Sequence, residues 1–223
     1  MKISVLQFPG TNCEYDTKYA FEQLGCEVEI IWHKEKNIPA DTDLLVIPGG
    51  FSYGDYLRSG AIARFANVME SVKEFAAKGG KVLGICNGFQ ILLEAGLLPG
   101  AMKRNDSLHF ISKYHTLKVI NNDNRFLSLM KKDQVVNIPV AHHDGNYYID
   151  AAGLKELEEN NQILLKYCDK DGNLVNMNGS VLNIAGICNK EKNVFGLMPH
   201  PERAIEELLG SVDGVNMLKG FLQ

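Results

Sequence analysis

A cysteine between two glycines is the residue of this sequence best placed for nucleophilic chemistry. Cys86 stands two residues after Gly84 and two before Gly88, where an apolar, strand-like run turns into a helical pattern. Small residues at these positions let a strand and a helix approach closely, so that the side chain between them projects from the end of the sheet. The partial positive charge at a helix N-terminus then favours the thiolate. The other four cysteines lack this context and are interpreted as buried apolar side chains: Cys13, Cys26, Cys168 and Cys188.

A second segment, near the C-terminal end, offers the proton donor that such a thiol needs for its leaving group. His200 and Glu202 are two positions apart, and the flanking Pro199 and Pro201 bias the backbone away from helix. Residues two apart in an extended backbone project to the same side, so Glu202 can orient the imidazole as the third member of a triad does. Together with Cys86, this segment predicts a Cys-His-Glu site.

A glycine-containing loop could supply backbone hydrogen-bond donors to the same site. Gly49 and Gly50 follow the strand-like run that ends at Ile47, and two glycines allow a backbone whose N–H groups face a ligand. One such N–H, together with that of Asn87 directly after the cysteine, would form an oxyanion hole. A plain glycine turn is the alternative for this loop.

The elements that must position these residues follow an α/β pattern. Short apolar runs alternate with amphipathic stretches in the first half, which indicates βαβ units and a parallel sheet. Strands are expected at 2–8, 28–32, 43–47 and 81–85, with a helix over 61–77 that ends at Gly79 and Gly80. A parallel sheet binds ligands at the carboxyl ends of its strands, which is where the cysteine and the glycine loop stand.

The second half has the pattern of antiparallel additions to the same sheet. Strands are expected at 116–120, 137–141, 163–168, 181–187 and 194–198, with few helices between them. Asp171-Gly172 and Asn178-Gly179 are turns of the hairpin type. No repeat or linker divides the chain. The sequence therefore predicts a single domain, 1–223, of the α/β class with a doubly wound, mostly parallel sheet and antiparallel additions in its C-terminal half.

Composition and charge exclude several classes of partner. The 223 residues are 45% hydrophobic and 22% charged, which is ordinary for a globular protein and argues against intrinsic disorder. The net charge of -4 provides no cationic surplus for nucleic acid or a membrane surface. No apolar run is long enough for a signal peptide or for the roughly 18 residues of a membrane span. We expect a cytoplasmic protein with neither nucleic acid nor membrane as a partner.

Four motifs in register resemble the class I (triad) glutamine amidotransferases. They read PGGFSYGDYLR at 48–58, GICNGFQ at 84–90, LPGAM at 98–102 and MPHPER at 198–203. Within that class they are most similar to the glutaminase subunits of phosphoribosylformylglycinamidine synthases, and the likeness extends from Pro9 to Gly214. The resemblance implies that Cys86 takes the γ-glutamyl group of L-glutamine, that His200 is the acid and base, and that Glu202 orients it. It also implies that the backbone N–H groups of Gly50 and Asn87 form the oxyanion hole. Substrate contacts are expected at Gln90, Gly49 and Phe51.

The resemblance further implies partners for this chain. Ammonia would pass to a separate large synthetase subunit, which uses ATP and Mg²⁺ to convert formylglycinamide ribonucleotide to its amidine in purine (IMP) biosynthesis. A small accessory subunit would complete the complex, and no cofactor or metal is expected in this chain.

One loop departs from the family pattern. The family usually has His-Gly-Glu-Gly where this chain reads HHDG at 142–145, so His143 and Asp144 are left out of the expected site. Three alternatives stay open: another class I glutaminase, a γ-glutamyl hydrolase, and a non-catalytic glutamine-binding scaffold. The segment 53–58 argues against the first two, and retention of all three triad residues argues against the scaffold.

Overall fold

The computed structural model describes residues 1–223 and places nine of eleven strands in one sheet. The strands are β1 (Lys2–Gln7), β2 (Glu27–Trp32), β3 (Leu44–Ile47), β4 (Lys81–Ile85), β5 (Ala101–Lys103), β6 (Ile111–Val119), β7 (Val135–His142), β8 (Asn146–Tyr148), β9 (Ile163–Cys168), β10 (Ile184–Cys188) and β11 (Val194–Leu197). The α-helices are α1 (Glu14–Gln23), α2 (Val68–Ala77), α3 (Asn87–Glu94), α4 (Ala151–Glu159) and α5 (Gly214–Lys219).

The large sheet has a parallel half and an antiparallel half. Its strand order is β2-β1-β3-β4-β11-β10-β9-β6-β7. The five strands from β2 to β11 pair in parallel with their neighbours. The remaining four continue the sheet in antiparallel pairings, while β5 and β8 form a separate antiparallel pair. The predicted α/β class, with antiparallel additions from the C-terminal half, is confirmed.

The central parallel strands are apolar because both faces of the sheet are covered. Every residue of β3 is buried, and so is every residue of β4 after Lys81. Continuous apolar runs of this kind are typical of strands with helices on both sides. One cluster of 52 buried residues joins the two halves of the sheet, so they share a core. No helix combines the length and apolar character needed to cross a membrane.

One edge of the sheet collects the loops that follow five strands. β1, β3, β4 and β11 are parallel neighbours, so their carboxyl ends lie along the same edge. Strand β7 is separated from β11 by four antiparallel pairings, so it runs in the same direction as β11. Its carboxyl end therefore reaches the same edge. The chain therefore brings together the loops that begin at Phe8, Pro48, Cys86, His143 and Met198.

Two regular elements begin later in the chain than the sequence predicted. The helix expected over 61–77 begins at Val68, because Ala66 has an extended ψ of 147° that interrupts the helical run. The strand expected over 181–187 begins at Ile184, because Leu182 and Asn183 have φ values of 47° and 59° within a 3-10 turn. Local conformation therefore overrides the apolar pattern at both places.

The second half also contains a helix that the sequence analysis missed. α4 begins after Asp150, whose side chain accepts the Gly153 N–H at 2.8 Å as an N-cap. β6 starts at Ile111 rather than at the expected 116. Residues 112–114 are exposed and form no apolar run, so the sequence did not indicate that they belong to the strand. The two predicted hairpin turns do not join regular strands: Asp171-Gly172 is followed by an isolated bridge, and Asn178-Gly179 leads into a 3-10 turn.

Candidate active site

Cys86 occupies the turn between β4 and α3 in a backbone conformation that side chains rarely adopt. Its φ is 50° and its ψ is -106°. Such a conformation costs on the order of 1–3 kcal/mol and persists only where the surroundings enforce it. The Cys86 N–H donates to the Leu197 carbonyl at 2.8 Å, which ties the turn to β11. The thiol itself is buried, and its Sγ donates to the Ala141 carbonyl at 3.6 Å.

Two glycines allow α3 to pack this close to the sheet. A Cβ on Gly84 would lie 2.7 Å from the Gly88 carbonyl carbon, and a Cβ on Gly88 would lie 1.8 Å from the Ile47 carbonyl oxygen. No side-chain rotation relieves either contact, because both partners are backbone atoms. The predicted Gly-x-Cys-x-Gly spacing therefore corresponds to real steric requirements.

We expect Gly88→Ala to destabilise the fold, because α3 must move away from β3 to admit the methyl group. Overpacking of a close-packed interior costs about 1–3 kcal/mol in the free energy of unfolding, and more where backbone must shift. Urea unfolding measures the loss. Gly96→Ala is the comparison variant: Gly96 has a positive φ but no neighbour within 4 Å of its Cβ position, so its loss measures backbone strain alone and should be the smaller of the two. Equal losses in the two variants would contradict the steric explanation.

His200 and Glu202 form a buried pair immediately after β11. The His200 Nδ1 and Glu202 Oε1 atoms are 2.6 Å apart, and each residue is 1% exposed. Burial lowers the pKa of His200, but the Glu202 carboxylate and the Cys86 sulfur outweigh it and hold that pKa well above its usual value. The Nε2 atom of His200 is buried and makes no hydrogen bond. The ring is thus fixed at one nitrogen and free at the other.

Gly49 lies directly against this imidazole and leaves space for two thiols. A Cβ on Gly49 would lie 2.8 Å from His200 Cε1, 3.0 Å from Cys13 Sγ and 3.4 Å from the Cys86 Cβ. The Gly49 carbonyl accepts the Cys13 N–H at 3.2 Å. The structure therefore brings Cys86, His200 and Cys13 around one point, and Gly49 is the residue that makes room for them.

The backbone N–H groups of Gly50 and Asn87 are two free donors beside Cys86. Gly50 faces Thr11 in an isolated bridge whose hydrogen bonds belong to the flanking residues, so its own N–H points away from that segment. Asn87 is the first residue of α3, where an N–H has no partner within the helix. Neither N–H donates to another group of the chain. Both can donate to a ligand oxygen.

A cavity of about 280 Å³ opens beside the thiol at the loop edge of the sheet. Among the residues that the sequence predicted, Cys86, Gly50, Phe51 and Gln90 line it, whereas Gly49, Asn87, His200 and Glu202 do not. His200 instead lines a second cavity of about 150 Å³, which also includes Cys86. The cavity wall also carries charged groups that the sequence analysis did not assign to the site: Asp55, Arg58, Arg104, His143 and Asp144. The walls therefore offer both signs of charge.

Gln90 uses its amide within the protein. Its Nε2 donates to the Asp144 carbonyl at 2.7 Å, and its Oε1 accepts from Asn87 Nδ2 at 2.8 Å. The Asn87 Oδ1 in turn accepts the Ser52 N–H at 3.1 Å. These bonds link α3 to the loops after β3 and β7, so Gln90 positions the cavity wall as well as lining it.

The His200–Glu202 pair and the neighbouring Cys13 could also suggest a metal site. Ligand atoms of Cys13, His200 and Glu202 lie within 4.8 Å of one another. Glu202 is hydrogen-bonded to Nδ1 of the ring, and the free Nε2 faces a different direction. A single ion cannot bind Nε2 and Glu202 together while that bond persists. The arrangement therefore suits proton transfer better than metal binding.

Comparison with known proteins agrees with this geometry. Residues 1–216 match the family of the CobB/CobQ-like glutamine amidotransferase domain. The chain is 70% identical to the phosphoribosylformylglycinamidine synthase subunit PurQ of Sulfurimonas denitrificans over the full length of both, and 62% identical to that of Wolinella succinogenes over 99% of both. This chain belongs to that family of glutamine amidotransferases.

Solved structures place this amidotransferase among its relatives. The structure of PurLQS from Thermotoga maritima contains a chain that is 41% identical, with a TM-score of 0.89, covering 99% of this chain and 97% of that one. The glutaminase domain of Trypanosoma brucei CTPS is 12% identical with a TM-score of 0.62, covering 100% and 94%. The second likeness shows the fold alone.

The loop in which this amidotransferase departs from the family pattern is part of the cavity wall. The sequence analysis left His143 and Asp144 out of the expected site, but both residues line the cavity. Ser59 Oγ donates to Asp144 Oδ2 at 2.8 Å, and the buried Asn105 accepts the Gly145 N–H at 3.0 Å. Burial, opposed by a Ser59 hydrogen bond but helped by the nearby Asp144, raises the pKa of Asp55 to about 6.

Proposed function

We propose that this chain is the glutaminase subunit of a phosphoribosylformylglycinamidine synthase and that it hydrolyses L-glutamine to glutamate and ammonia. The observation that carries the proposal is the strained Cys86 turn, which sits next to the free nitrogen of a His200–Glu202 pair. One domain, residues 1–223, performs the reaction. The nucleophile, the acid and the oxyanion donors are all groups of the chain, so the hydrolysis needs no cofactor or metal in this subunit.

The first half of the reaction forms a thioester. The Cys86 thiolate attacks the side-chain carbonyl carbon of glutamine, and the C–N bond breaks when imidazolium Nε2 of His200 protonates the departing ammonia. Glu202 holds the opposite nitrogen of the ring and stabilises the imidazolium. The high pKa of His200 suits this step, because the ring must hold a proton until the amine leaves.

The second half of the reaction returns the enzyme to its starting state. The now neutral His200 takes a proton from water, the hydroxide attacks the thioester carbon, and the C–S bond breaks to release glutamate and the Cys86 thiolate. In both halves, negative charge develops on the same carbonyl oxygen. The N–H groups of Gly50 and Asn87 are the donors for that oxygen, each worth about 10² to 10³ in rate.

The charges of the cavity fit the head group of an amino acid. Arg104 is exposed and forms no ion pair, so it is available to the substrate α-carboxylate. Asp55 and Asp144 offer carboxylates to the α-ammonium group. Phe51 and Gln90 line the space between the head group and Cys86, and Gly49 keeps room for the imidazole.

The relatives support the choice of synthetase. Proteins of the same length and up to 70% identity carry the name of a phosphoribosylformylglycinamidine synthase subunit, and a solved relative is part of PurLQS. We propose that the ammonia passes to an ATP- and Mg²⁺-using large subunit, which converts formylglycinamide ribonucleotide to its amidine in purine biosynthesis, and that a small accessory subunit completes the assembly. Exposed apolar residues next to the cavity, Tyr56 and Leu57, suit a protein partner.

The isolated chain should be a weak glutaminase that its synthetase activates by about 10² to 10³, the value of one well-aimed oxyanion donor. The loop that carries Gly50 has positive φ at Tyr53, Gly54, Asp55 and Leu57, a strained backbone that a partner can reset. The measurement compares glutamate release by the chain alone with release in the presence of synthetase, accessory subunit, ATP and ribonucleotide. This experiment also tests the proposed function. If no glutamate were released under either condition, the proposed function would be refuted.

Arg58 is the contact of this loop that a variant can test. Its guanidinium binds Glu94 of α3 at 2.5 and 2.7 Å, so it couples the loop to the helix that begins at the nucleophile. We expect Arg58→Ala to lower the activation ratio. Lys78→Ala, which removes an exposed charge from the C-terminal cap of α2, is the matched control. An activation ratio near one in the unaltered chain would contradict the gating, and full activation of Arg58→Ala would exclude Arg58 from it.

A further inference from the structure

Cys13 is a second thiol at the active site that the proposed hydrolysis does not use. It is 2% exposed and directly precedes α1. Cys13 and Cys86 line one small cavity of about 150 Å³, together with His200 and Arg203. The Cys13 Sγ and the Cys86 Cβ lie 3.0 and 3.4 Å from the position that a Gly49 Cβ would occupy. Because residue 49 is a glycine, no side chain lies between the two cysteines at this point.

The groups around Cys13 favour a protonated thiol in the resting protein. Burial raises the pKa of Cys13, although the neighbouring His200 acts in the opposite direction. The thiol donates to Asn12 Oδ1 at 3.1 Å, and Arg203 Nη2 donates to its Sγ at 3.1 Å. A guanidinium against the sulfur stabilises a thiolate once one forms. Cys13 thus has a cation and a neighbouring base but no bond to make in the amide hydrolysis.

We propose that Cys13 is a resolving thiol, which closes a disulfide with Cys86 when hydrogen peroxide oxidises the nucleophile. The inference rests on the proposed function, because it requires a reactive thiolate at Cys86. Low-molecular-weight peroxide is small enough for the cavity that the two cysteines share. The remaining cysteines, Cys26, Cys168 and Cys188, do not line this cavity and cannot substitute for Cys13.

The chemistry balances in two steps. The Cys86 thiolate attacks one oxygen of hydrogen peroxide, the O–O bond breaks, and the products are a sulfenic acid and hydroxide. The hydroxide takes the proton of the His200 imidazolium and becomes water, which leaves the ring neutral. Cys13 then gives its proton to Nε2 of the now neutral His200 and attacks the Cys86 sulfur. The S–O bond breaks, and the oxygen leaves as hydroxide that takes the proton from His200 to form a second water. The two electrons lost by the cysteines are those gained by peroxide, and a dithiol returns them.

The competing fate of the sulfenic acid defines what the disulfide achieves. A second peroxide would convert it to a sulfinic acid, which ordinary thiols do not reduce. A thiol in the same cavity reacts without diffusing, whereas peroxide must enter from solution. The disulfide therefore stops glutamine hydrolysis reversibly and preserves the nucleophile.

In the test, the full chain in complex with its synthetase is exposed first to hydrogen peroxide and then to dithiothreitol. Peptide mass mapping of the wild-type protein should find a Cys13–Cys86 linked peptide, and reduction should restore the starting turnover. In Cys13→Ala and Cys13→Ser, Cys86 should become sulfinic, with recovery about tenfold lower relative to each variant's own untreated rate. Cys26→Ala is the control and should recover like wild type.

Two outcomes would overturn the proposal. One is that Cys86 of the wild type becomes sulfinic acid and no linked peptide forms. The other is that both Cys13 variants recover as completely as the wild type. The two proposals fail separately: absence of turnover before peroxide refutes the glutaminase function, while turnover without a linked peptide refutes only the resolving thiol. Mass mapping reads the sulfur directly, so a Cys13 variant with reduced activity still gives an answer.

Discussion

Cys86→Ala should lose glutamine hydrolysis completely while the reconstituted complex still makes product from added ammonium. The substitution removes the atom that forms the thioester, whereas the proposed ATP chemistry takes place on another subunit. The small change at the strained turn should leave the fold intact, because alanine retains the Cβ packed beside the Gly49 backbone. Glutamate release and ammonium-dependent synthesis are measured on the same preparation.

The control for this variant is Cys26→Ala, which alters a partly exposed cysteine and should keep both activities. A glutamine-mimicking electrophile should label Cys86 in the wild type and spare the other four cysteines, which mass mapping can establish. Loss of both activities in Cys86→Ala, with the complex still assembled, would contradict the proposed division of labour.

His200→Ala should come close to the effect of losing the nucleophile, and Glu202→Gln should cost much less. Removing the imidazole removes the proton donor for ammonia and the base for water, and losses on the order of 10⁴ to 10⁶ are typical for such a residue. Gln at 202 keeps the shape and one hydrogen-bonding oxygen beside Nδ1. Because a thiol ionises far more readily than a serine hydroxyl, it depends less on a perfectly oriented base, and we expect a loss of about 10 to 10³ in turnover.

The pH dependence separates the two variants further. Glu202 is the main group that raises the pKa of His200 against the effect of burial, so Glu202→Gln should lower that pKa. The alkaline limb of the turnover profile, which reports loss of the imidazolium, should move to lower pH. Unfolding midpoints verify that both variants are folded. If Glu202→Gln were as damaging as His200→Ala in a folded protein, Glu202 would have more than an orienting role.

The residues of the proposed triad could be predicted because their local sequence requires an unusual backbone. Only small residues permit the contacts found at Gly84 and Gly88. The extended backbone expected from His200 to Glu202 was wrong, because residues 201–203 form a 3-10 turn with Pro201 at its first position, yet the two side chains still meet. These constraints operate within a few residues, so they are visible in the sequence. The assignment of the parallel half of the sheet rests on equally local patterns of apolar runs.

Contacts between distant segments could not be predicted in the same way. Gln90 and Asp144 are 54 positions apart, and nothing in either segment indicates the hydrogen bond that joins them. Cys13 follows β1, whose carboxyl end lies beside that of β3. Because ligands bind at the carboxyl ends of parallel strands, this position could have indicated a site residue, but a lone cysteine was interpreted as a buried apolar side chain. Asp144 follows an antiparallel strand, for which no comparable rule exists.

The helix boundaries show the limits of periodicity. The residues from 61 to 77 have helical spacing throughout, yet Ala66 adopts an extended conformation and the helix starts two residues later. α4 lacks a strong apolar stripe and is fixed by an N-cap at Asp150. The backbone conformation of Ala66 decided the first case, and a single side-chain hydrogen bond decided the second.

The position of β11 in the sheet has a consequence for the order in which the enzyme becomes active during its synthesis. Of the eleven strands, β11 leaves the ribosome last, but it lies in the middle of the sheet between β4 and β10, and His200 follows it after two residues. Until residues 194–197 insert there, the turn at Cys86 lacks the carbonyl that holds it, and no imidazole stands beside the thiol. A nascent chain therefore carries four of the five loops of the site without the ability to consume glutamine.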